Sequence, residues 1–510
     1  MGCSCVLVLI SYRSIPIENP ATGETIALCQ SASDGDVERT VSAAQAAFDS
    51  GIWSRADRHH RADVLEKMAE LFVTRMPELI SLEVRQTGRV TREMKAQVPS
   101  LTRWFKYYAA LLRTEERPVL PTTGKLHNWI ERVPLGVVVQ ITPFNHPLLI
   151  AVKKLAPALA AGNSVIIKPS ELTPLTTLHL AVIAQEAGIP NGVLSVLPGY
   201  GRTTGKALVS HPLVRKVDVT GGTPSGRAIG AIAGANLARY TAELGGKAPV
   251  IVTKHANLDQ AVNGVAFGAF VASGQTCVAA TRIIVYRGKM IEFITKLKAK
   301  CISIEKRMGS PRNEQSAMGS LISAKQLQHV TDLVDDATER GVSVITGGKR
   351  LTEASALDGH DLSKGYFYAP TILVDGPSCK LQRTRIWREE AFGPVIVVVP
   401  FDAESTALQL ANDSDFGLGA AIWTQDLSQA HRLSASINAG MVWVNTHHRN
   451  DPSSPWGGAP GGSGVGSENG VDALNAYTMM KSTIINYASV EEGLANDDWF
   501  KEEAGEVRYG

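Results

Sequence analysis

Val137-Val-Val-Gln-Ile141 is a short apolar run, followed by a Pro-punctuated turn and a helical stretch from Leu148 to Ala161. Ser164-Val-Ile-Ile-Lys168 then opens the same cycle again. An apolar strand with few polar residues is the pattern of a strand buried on both faces, and a helix between two such strands is what parallel pairing needs. The cycle continues outward: a helix from Thr177 to Ala187, strand Val193-Leu-Ser-Val-Leu197, a helix from Thr203 to Ser210, strand Lys216-Val-Asp-Val-Thr220, a Gly-rich turn and a helix through Ala235. The predicted fold class is α/β with a mostly parallel, doubly wound sheet. Such sheets bind ligands outside the carboxyl ends of their strands, where polar motifs of this chain fall.

Toward the N-terminus the first hundred residues read as helical after a turn at Asn19-Pro-Ala-Thr-Gly23. Ser33-Asp34 caps a helix with Val37, Val41, Ala44 and Phe48 on one face; Arg58 to Arg75 repeats the period, and Leu101 to Leu112 is a third helix. Pro118 to Gly124 breaks it, and Trp129 to Val133 is strand-like. Beyond residue 280 the alternation is less regular, with strands at Ile283–Tyr286, Val395–Val399 and Met441–Asn445 and helices at 289–301, 323–340 and 405–412. Trp456 to Gly470 is glycine-dense, Tyr477 to Asn486 reads as a strand, and Glu491 to Gly510 as a solvated acidic tail.

Across 510 residues, 44% hydrophobic and 20% charged is a globular balance, and 51 basic against 49 acidic residues leave +2, too even for a nucleic-acid or membrane-surface binder. No run suffices for a membrane span. The six cysteines (Cys3, Cys5, Cys29, Cys277, Cys301, Cys379) suit neither a disulfide scaffold nor a zinc site, so no metal is expected. Met1 to Ile10 is apolar but has no basic flank, and Val6 stands where N-myristoylation favours Ser or Thr. It reads as an edge strand of a cytoplasmic protein.

Six polar clusters stand out: Thr142-Pro-Phe-Asn145-His-Pro, Lys168-Pro-Ser-Glu171, Thr220-Gly-Gly-Thr223-Pro-Ser-Gly226, Glu243-Leu-Gly-Gly-Lys247, Ser273-Gly-Gln-Thr-Cys277 and Glu389-Glu-Ala-Phe-Gly-Pro394. Singly, each has an ordinary structural reading: an inert cysteine, a plain turn, a solvated glutamate. In this order and spacing, from about Ile17 to Asn486, they resemble the aldehyde dehydrogenase superfamily of the NAD(P)-dependent, hydrolytic type.

The resemblance implies a Rossmann-type cofactor domain (1–115 with 133–245), an α/β catalytic domain (246–455), a small β bridging element (116–132 with 471–489) that makes homodimers or homotetramers, and the tail (490–510). It makes Cys277 the nucleophile toward an aldehyde. The Asn145 amide with the Cys277 backbone N–H becomes the oxyanion hole, Glu243 the base that hydrolyses the thioester, and Glu468 an acid of the proton relay. For the cofactor it implies Thr142, Lys168, Glu171, Thr220, Gly221, Thr223, Gly245, Glu390 and Phe392. A carboxylate on the adenosine ribose favours NAD, with NADP as the alternative. The nearest rivals are a CoA-acylating semialdehyde dehydrogenase, which has no use for Glu243 as a base, and an inactive binding or structural homologue.

Two departures stand out. The glycine-rich segment Gly457 to Glu468 lacks the family's Lys, carries one extra residue and has Ser467 where Arg is usual, which should alter the entrance and the assembly. The N-terminal hairpin of the family is poorly matched before Ile15. At the implied substrate mouth stand His146, Ile150, Lys153, the loop His447-His-Arg449-Asn450, and Trp456. Several basic groups there predict a carboxylate-bearing aldehyde such as a semialdehyde, with a hydroxylated aromatic aldehyde second.

Overall fold

The computed structural model describes residues 13–459, 461–496, 500 and 502. The edge-strand reading of Met1 to Ile10, with Cys3 and Cys5, lies outside these. The described chain opens on an antiparallel hairpin, β1 (Ser14–Asn19) and β2 (Glu24–Gln30), closed by the Asn19–Gly23 turn. This corrects the all-helical reading of the first hundred residues, and it supplies the hairpin that looked poorly matched. Ile15 and Ile17 are buried while Ser14 and Pro16 face out, a period of two over too few residues to stand out. With Cys29 they pack against Leu175 and Leu178.

Helix Asp34–Ser50 starts on a capping box between Ser33 and Asp36. The next helix runs Arg58–Thr87, past its expected end at Arg75 and through Pro77, because Leu79 and Val84 continue the buried face until Gly88 turns left-handed at φ 71°. With helices Thr102–Arg113 and Pro147–Ala160 it encloses a core that includes Phe72, Phe105, Leu148 and Leu155.

After β3 (Val119–Leu120) and β4 (Leu126–Pro134), five strands build the first large sheet: β5 (Val137–Ile141), β6 (Ser164–Lys168), β7 (Leu194–Val196), β8 (Val214–Thr220) and β9 (Arg239–Glu243). All pair in parallel, as predicted. The second sheet takes β10 (Ala248–Val252), β11 (Ala280–Tyr286), β12 (Ser343–Thr346), β13 (Thr371–Val374), β14 (Val395–Phe401), β15 (Gly419–Trp423) and β16 (Met441–Val444), in the order β12-β13-β14-β11-β10-β15-β16. The sequence reading passed over β12, β13 and β15, and also over β9 and β10. The last two follow each other across residues 244–247 with no helix between, because the chain leaves one sheet there and enters the middle of the other.

β17 (Gly464–Val465) comes from the glycine-dense segment and adds antiparallel to β9, giving the order β17-β9-β8-β5-β6-β7. β18 (Thr478–Asn486) pairs with β4 from Thr478 opposite Pro134 to Asn486 opposite Leu126, in a three-stranded sheet β18-β4-β3. Tyr477, expected in this strand, lies just before it and is buried. The expected tail begins instead as a helix, Val490–Asn496, which Ser489 and Glu492 cap reciprocally and the Lys125–Glu492 ion pair (2.6 Å) ties to the small sheet. Among the described residues no helix is long and apolar enough to cross a membrane.

Candidate active site

Parallel register places Ile141, Lys168, Thr220 and Glu243 side by side at the carboxyl edge of the first sheet. Cys277 lies just before β11, and Glu390 and Phe392 just before β14, so these arrive from the amino ends of the second sheet. The site is the seam between the two sheets, and glycines let its loops touch. A Cβ on Gly246 would sit 2.1 Å from the Cys277 carbonyl oxygen, and one on Gly274 (φ 74°) 2.2 Å from the Gly393 oxygen. Ahead of Cys277, Ala272 and Ser273 take positive φ (53° and 55°), a strained pair. Glu93 holds it by accepting the Ala272 N–H (3.1 Å), and the Ser273 hydroxyl by donating to the Gly319 carbonyl (2.9 Å).

Asn145 donates its side-chain amide to the Gln275 carbonyl (2.8 Å), which fixes it beside the Cys277 loop. Glu243 is buried, and neither carboxylate oxygen has a hydrogen-bond partner among the described residues. Burial first, then the nearby Glu468, raises its pKa well above the usual carboxylate range. Burial, then Glu243 and Glu390, pushes the Cys277 thiol up to about 12. The protein groups alone therefore do not make an electropositive pocket around the thiol.

Glu468 stands in a buried ionic chain. Its carboxylate pairs with Lys153 (2.7 Å) and Lys154 (2.5 Å); Lys154 also pairs with Asp218, which accepts from the Tyr477 hydroxyl (2.5 Å). Burial alone would raise Glu468, but the two lysines hold it at about 2. The two lysines thus favour its charged form. Lys154→Met would leave Asp218 buried with its ionic partner gone. We expect it to lower unfolding free energy by about 3–5 kcal/mol, read by chemical denaturation.

The cofactor candidates form a fitting cradle. Among the described residues the hydroxyls of Thr142 and Thr220 are buried without partners, and a Cβ on Gly221 would meet open space. The helix Thr223–Ala235 begins with no side-chain cap, leaving its N–H groups to an anion. The Thr223 hydroxyl itself is spent on the Gly462 carbonyl (2.7 Å). Lys168 Nζ donates to the Pro169 carbonyl (2.6 Å) and lies 3.5 Å from Glu171, which is partly exposed. Glu390 accepts the Gly246 N–H (3.0 Å) and closes on Gly245, where a Cβ would come within 2.5 Å of it. Phe392 packs edge-on against Phe144 at 5.7 Å. The altered segment closes onto the same loop: Ser463 donates to the Gly245 carbonyl (2.8 Å).

The mouth differs from its expected basic character. Lys153 is buried, tied to Glu468, with Nζ 4.5 Å from the Trp456 ring centroid. Burial pushes His447 down to about 4 and His448 to about 3, and burial with Arg89 holds His146 well below its usual value. The three imidazoles are neutral, and Arg449 is exposed with its Nε on the Thr446 hydroxyl (3.2 Å). Burial thus weakens the expected pull of the histidines and Lys153, and leaves Arg449 as the exposed basic group of the loop.

Sequence reasoning missed Arg89, Lys154, Asp218 and Tyr477. A tandem Lys153-Lys154 in an otherwise apolar helix was the available signal, because two charges there must be paired. The sequence matches the aldehyde dehydrogenase family over residues 10–483. A putative aldehyde dehydrogenase from Burkholderia cenocepacia is 38% identical, with TM-score 0.88 over 93% of this chain and 94% of that one. The NAD+ complex of aldehyde dehydrogenase from Bacillus cereus is 33% identical (TM-score 0.88; 93% and 94%), and betaine aldehyde dehydrogenase from Staphylococcus aureus with NAD+ is also 33% identical (TM-score 0.90; 96% and 94%). With the cradle described above, these matches show that the chain belongs to the aldehyde dehydrogenase family and is an NAD-dependent aldehyde dehydrogenase.

Proposed function

We propose that oxidation proceeds through a covalent adduct on Cys277 Sγ that ends as a thioester hydrolysed with Glu243 as base. The observation that carries this reading is a thiol and a buried carboxylate, the latter without a hydrogen-bond partner among the described residues, on loops that touch through Gly246. A carboxylate left unpaired inside a protein is destabilising, and a base poised to take a proton from water is the use that accounts for it. The Cys277 thiol gives up its proton to water and the thiolate attacks the aldehyde carbon, forming the C–S bond as the carbonyl π bond breaks to an oxyanion, which the Asn145 amide and the Cys277 N–H stabilise as hydrogen-bond donors. NAD, when bound, supplies the hydride acceptor for the oxidation. Glu243 then removes a proton from the water that attacks the thioester carbon, and the Cys277 thiolate leaves. Glu468, whose charge adds to burial in raising the pKa of Glu243, would stand behind it on the proton path.

Thr142, Thr220, Gly221, the Thr223 N–H and Gly245 would line the cofactor, with Lys168 and Glu171 at the adenosine ribose and Glu390 and Phe392 at the nicotinamide end. The test is product analysis with and without coenzyme A. Free acid formed at a rate indifferent to coenzyme A is expected; strict dependence on it would select the CoA-acylating rival.

The division into cofactor domain, catalytic domain and bridging element belongs to the same proposal. β18 is an edge strand with exposed Met479, Met480, Ile484 and Ile485, and the opposite edge, β3, exposes Val119 and Leu120. Such a strand calls for cover, which supports a homodimer or homotetramer through this sheet. A monomeric mass by light scattering would refute it. A free, catalytic thiol suits a reducing compartment and supports the cytoplasm.

A further inference from the structure

His146 directly follows Asn145 and is 4% exposed. Its Nδ1 lies 2.7 Å from an Arg89 guanidinium nitrogen and 3.1 Å from Gln97 Nε2. Arginine has no acceptor, so Nδ1 must accept. The imidazole, neutral in this setting, therefore carries its proton on Nε2. That N–H is buried and has no hydrogen-bond partner among the described residues. A buried donor without a partner is destabilising, unless a ligand supplies the acceptor.

The surroundings say which acceptor. Arg89 is compensated by Glu93 (3.1 Å) and Lys153 by Glu468 (2.7 Å), so a carboxylate brought here would lose its hydration with little net charge to meet it. Aromatic rings cluster beside it: His448 meets His146 edge-on at 6.1 Å and lies tilted against Phe267 at 6.4 Å and Trp456 at 6.1 Å. Rings so placed suit a flat, apolar body with one polar atom.

We propose that His146 is a specificity-determining donor whose Nε2–H binds an uncharged oxygen on the substrate, and that the enzyme takes aromatic aldehydes bearing a hydroxyl or ether oxygen. This rests on the reading of Cys277 and Asn145 as the reacting end of the site. Arg89 and Gln97 are positioning residues, which set the tautomer and hold the ring.

The test compares kcat/KM for methoxybenzaldehydes, their ethyl isosteres and the carboxybenzaldehydes, each at ortho, meta and para positions. The wild-type enzyme should favour the best methoxy compound over its ethyl isostere by about tenfold or more, since a site built around a donor rejects an analogue lacking the acceptor. His146→Phe should bring that ratio to about one while still oxidising the ethyl compound, and His146→Gln, which keeps an N–H, should retain part of the preference. A ratio unchanged in His146→Phe overturns the proposal, as does a carboxybenzaldehyde outranking every methoxy compound. If none of the three series is oxidised, the substrate class is wrong. Steady NADH formation from acetaldehyde in the same preparation, lost in Cys277→Ala, then shows that the Cys277 reading stands without it.

Discussion

Cys277→Ala is expected to lower kcat for aldehyde oxidation by about 10⁴-fold or more while NAD affinity stays unchanged. Removing a nucleophile abolishes the covalent route, and losses on this scale are typical when one member of a catalytic unit is deleted. The cofactor contacts proposed here are with Thr142, Lys168, Thr220 and Glu390, not with the thiol, and Ala fits where Cys was. Steady-state turnover and NAD titration by fluorescence quenching give the two readings. Near-wild-type turnover would remove Cys277 from the chemistry. Replacing Cys29 or Cys301, both buried in apolar cores away from the seam, should leave kcat largely intact.

Glu243→Gln is expected to keep the first turnover and lose the steady state, by about 10²–10⁴-fold. Gln matches the shape of Glu but cannot take a proton from water. Mixing enzyme, NAD and aldehyde should give one NADH per site rapidly and then slow release of acid, and the acyl group should be found on Cys277 by mass. The pH dependence follows from the raised pKa of Glu243. Below that value the base is protonated and hydrolysis is slow. As pH rises through it the carboxylate forms, and the deacylation rate climbs. In the Gln variant this rising limb should vanish; an unchanged steady state with no burst would assign the base to another residue.

The parallel β-α repeat was legible from residue 137 to 235 because each strand there is an apolar run separated from the next by a helical period. The hairpin Ser14–Gln30 was not, since its buried side shows only as Ile15, Ile17 and Cys29, with Pro16 inside it. β9 and β10 were hidden by the crossing between sheets. Cys277, Glu243 and Asn145 could be picked out through the motif resemblance, and the fold then brought their loops together. The character of the mouth could not be read. Counting His146, Lys153, His447 and His448 as basic ignores burial, which removes charge from the imidazoles, and a carboxylate more than three hundred positions away in sequence, which cancels Lys153.

Lys153, Glu468, Lys154 and Asp218 follow one another with alternating sign and sum to zero. An electrically balanced array buried this deep presents no net charge, so added salt should scarcely alter its influence on Cys277 and Glu243. The same balance governs how the sequence can drift. A single neutral replacement at any of the four leaves an unmatched charge in the interior. A simultaneous exchange of Lys154 and Asp218 for apolar residues leaves Lys153 and Glu468 as a closed pair, with the Tyr477 hydroxyl to be resettled on Gln140, which already donates to it (3.0 Å), and with buried Lys216 losing both the attraction of Asp218 and the repulsion of Lys154. Divergence at these positions should therefore proceed by compensated steps, two residues at a time, through a link that joins the reaction centre to the first residues of β18.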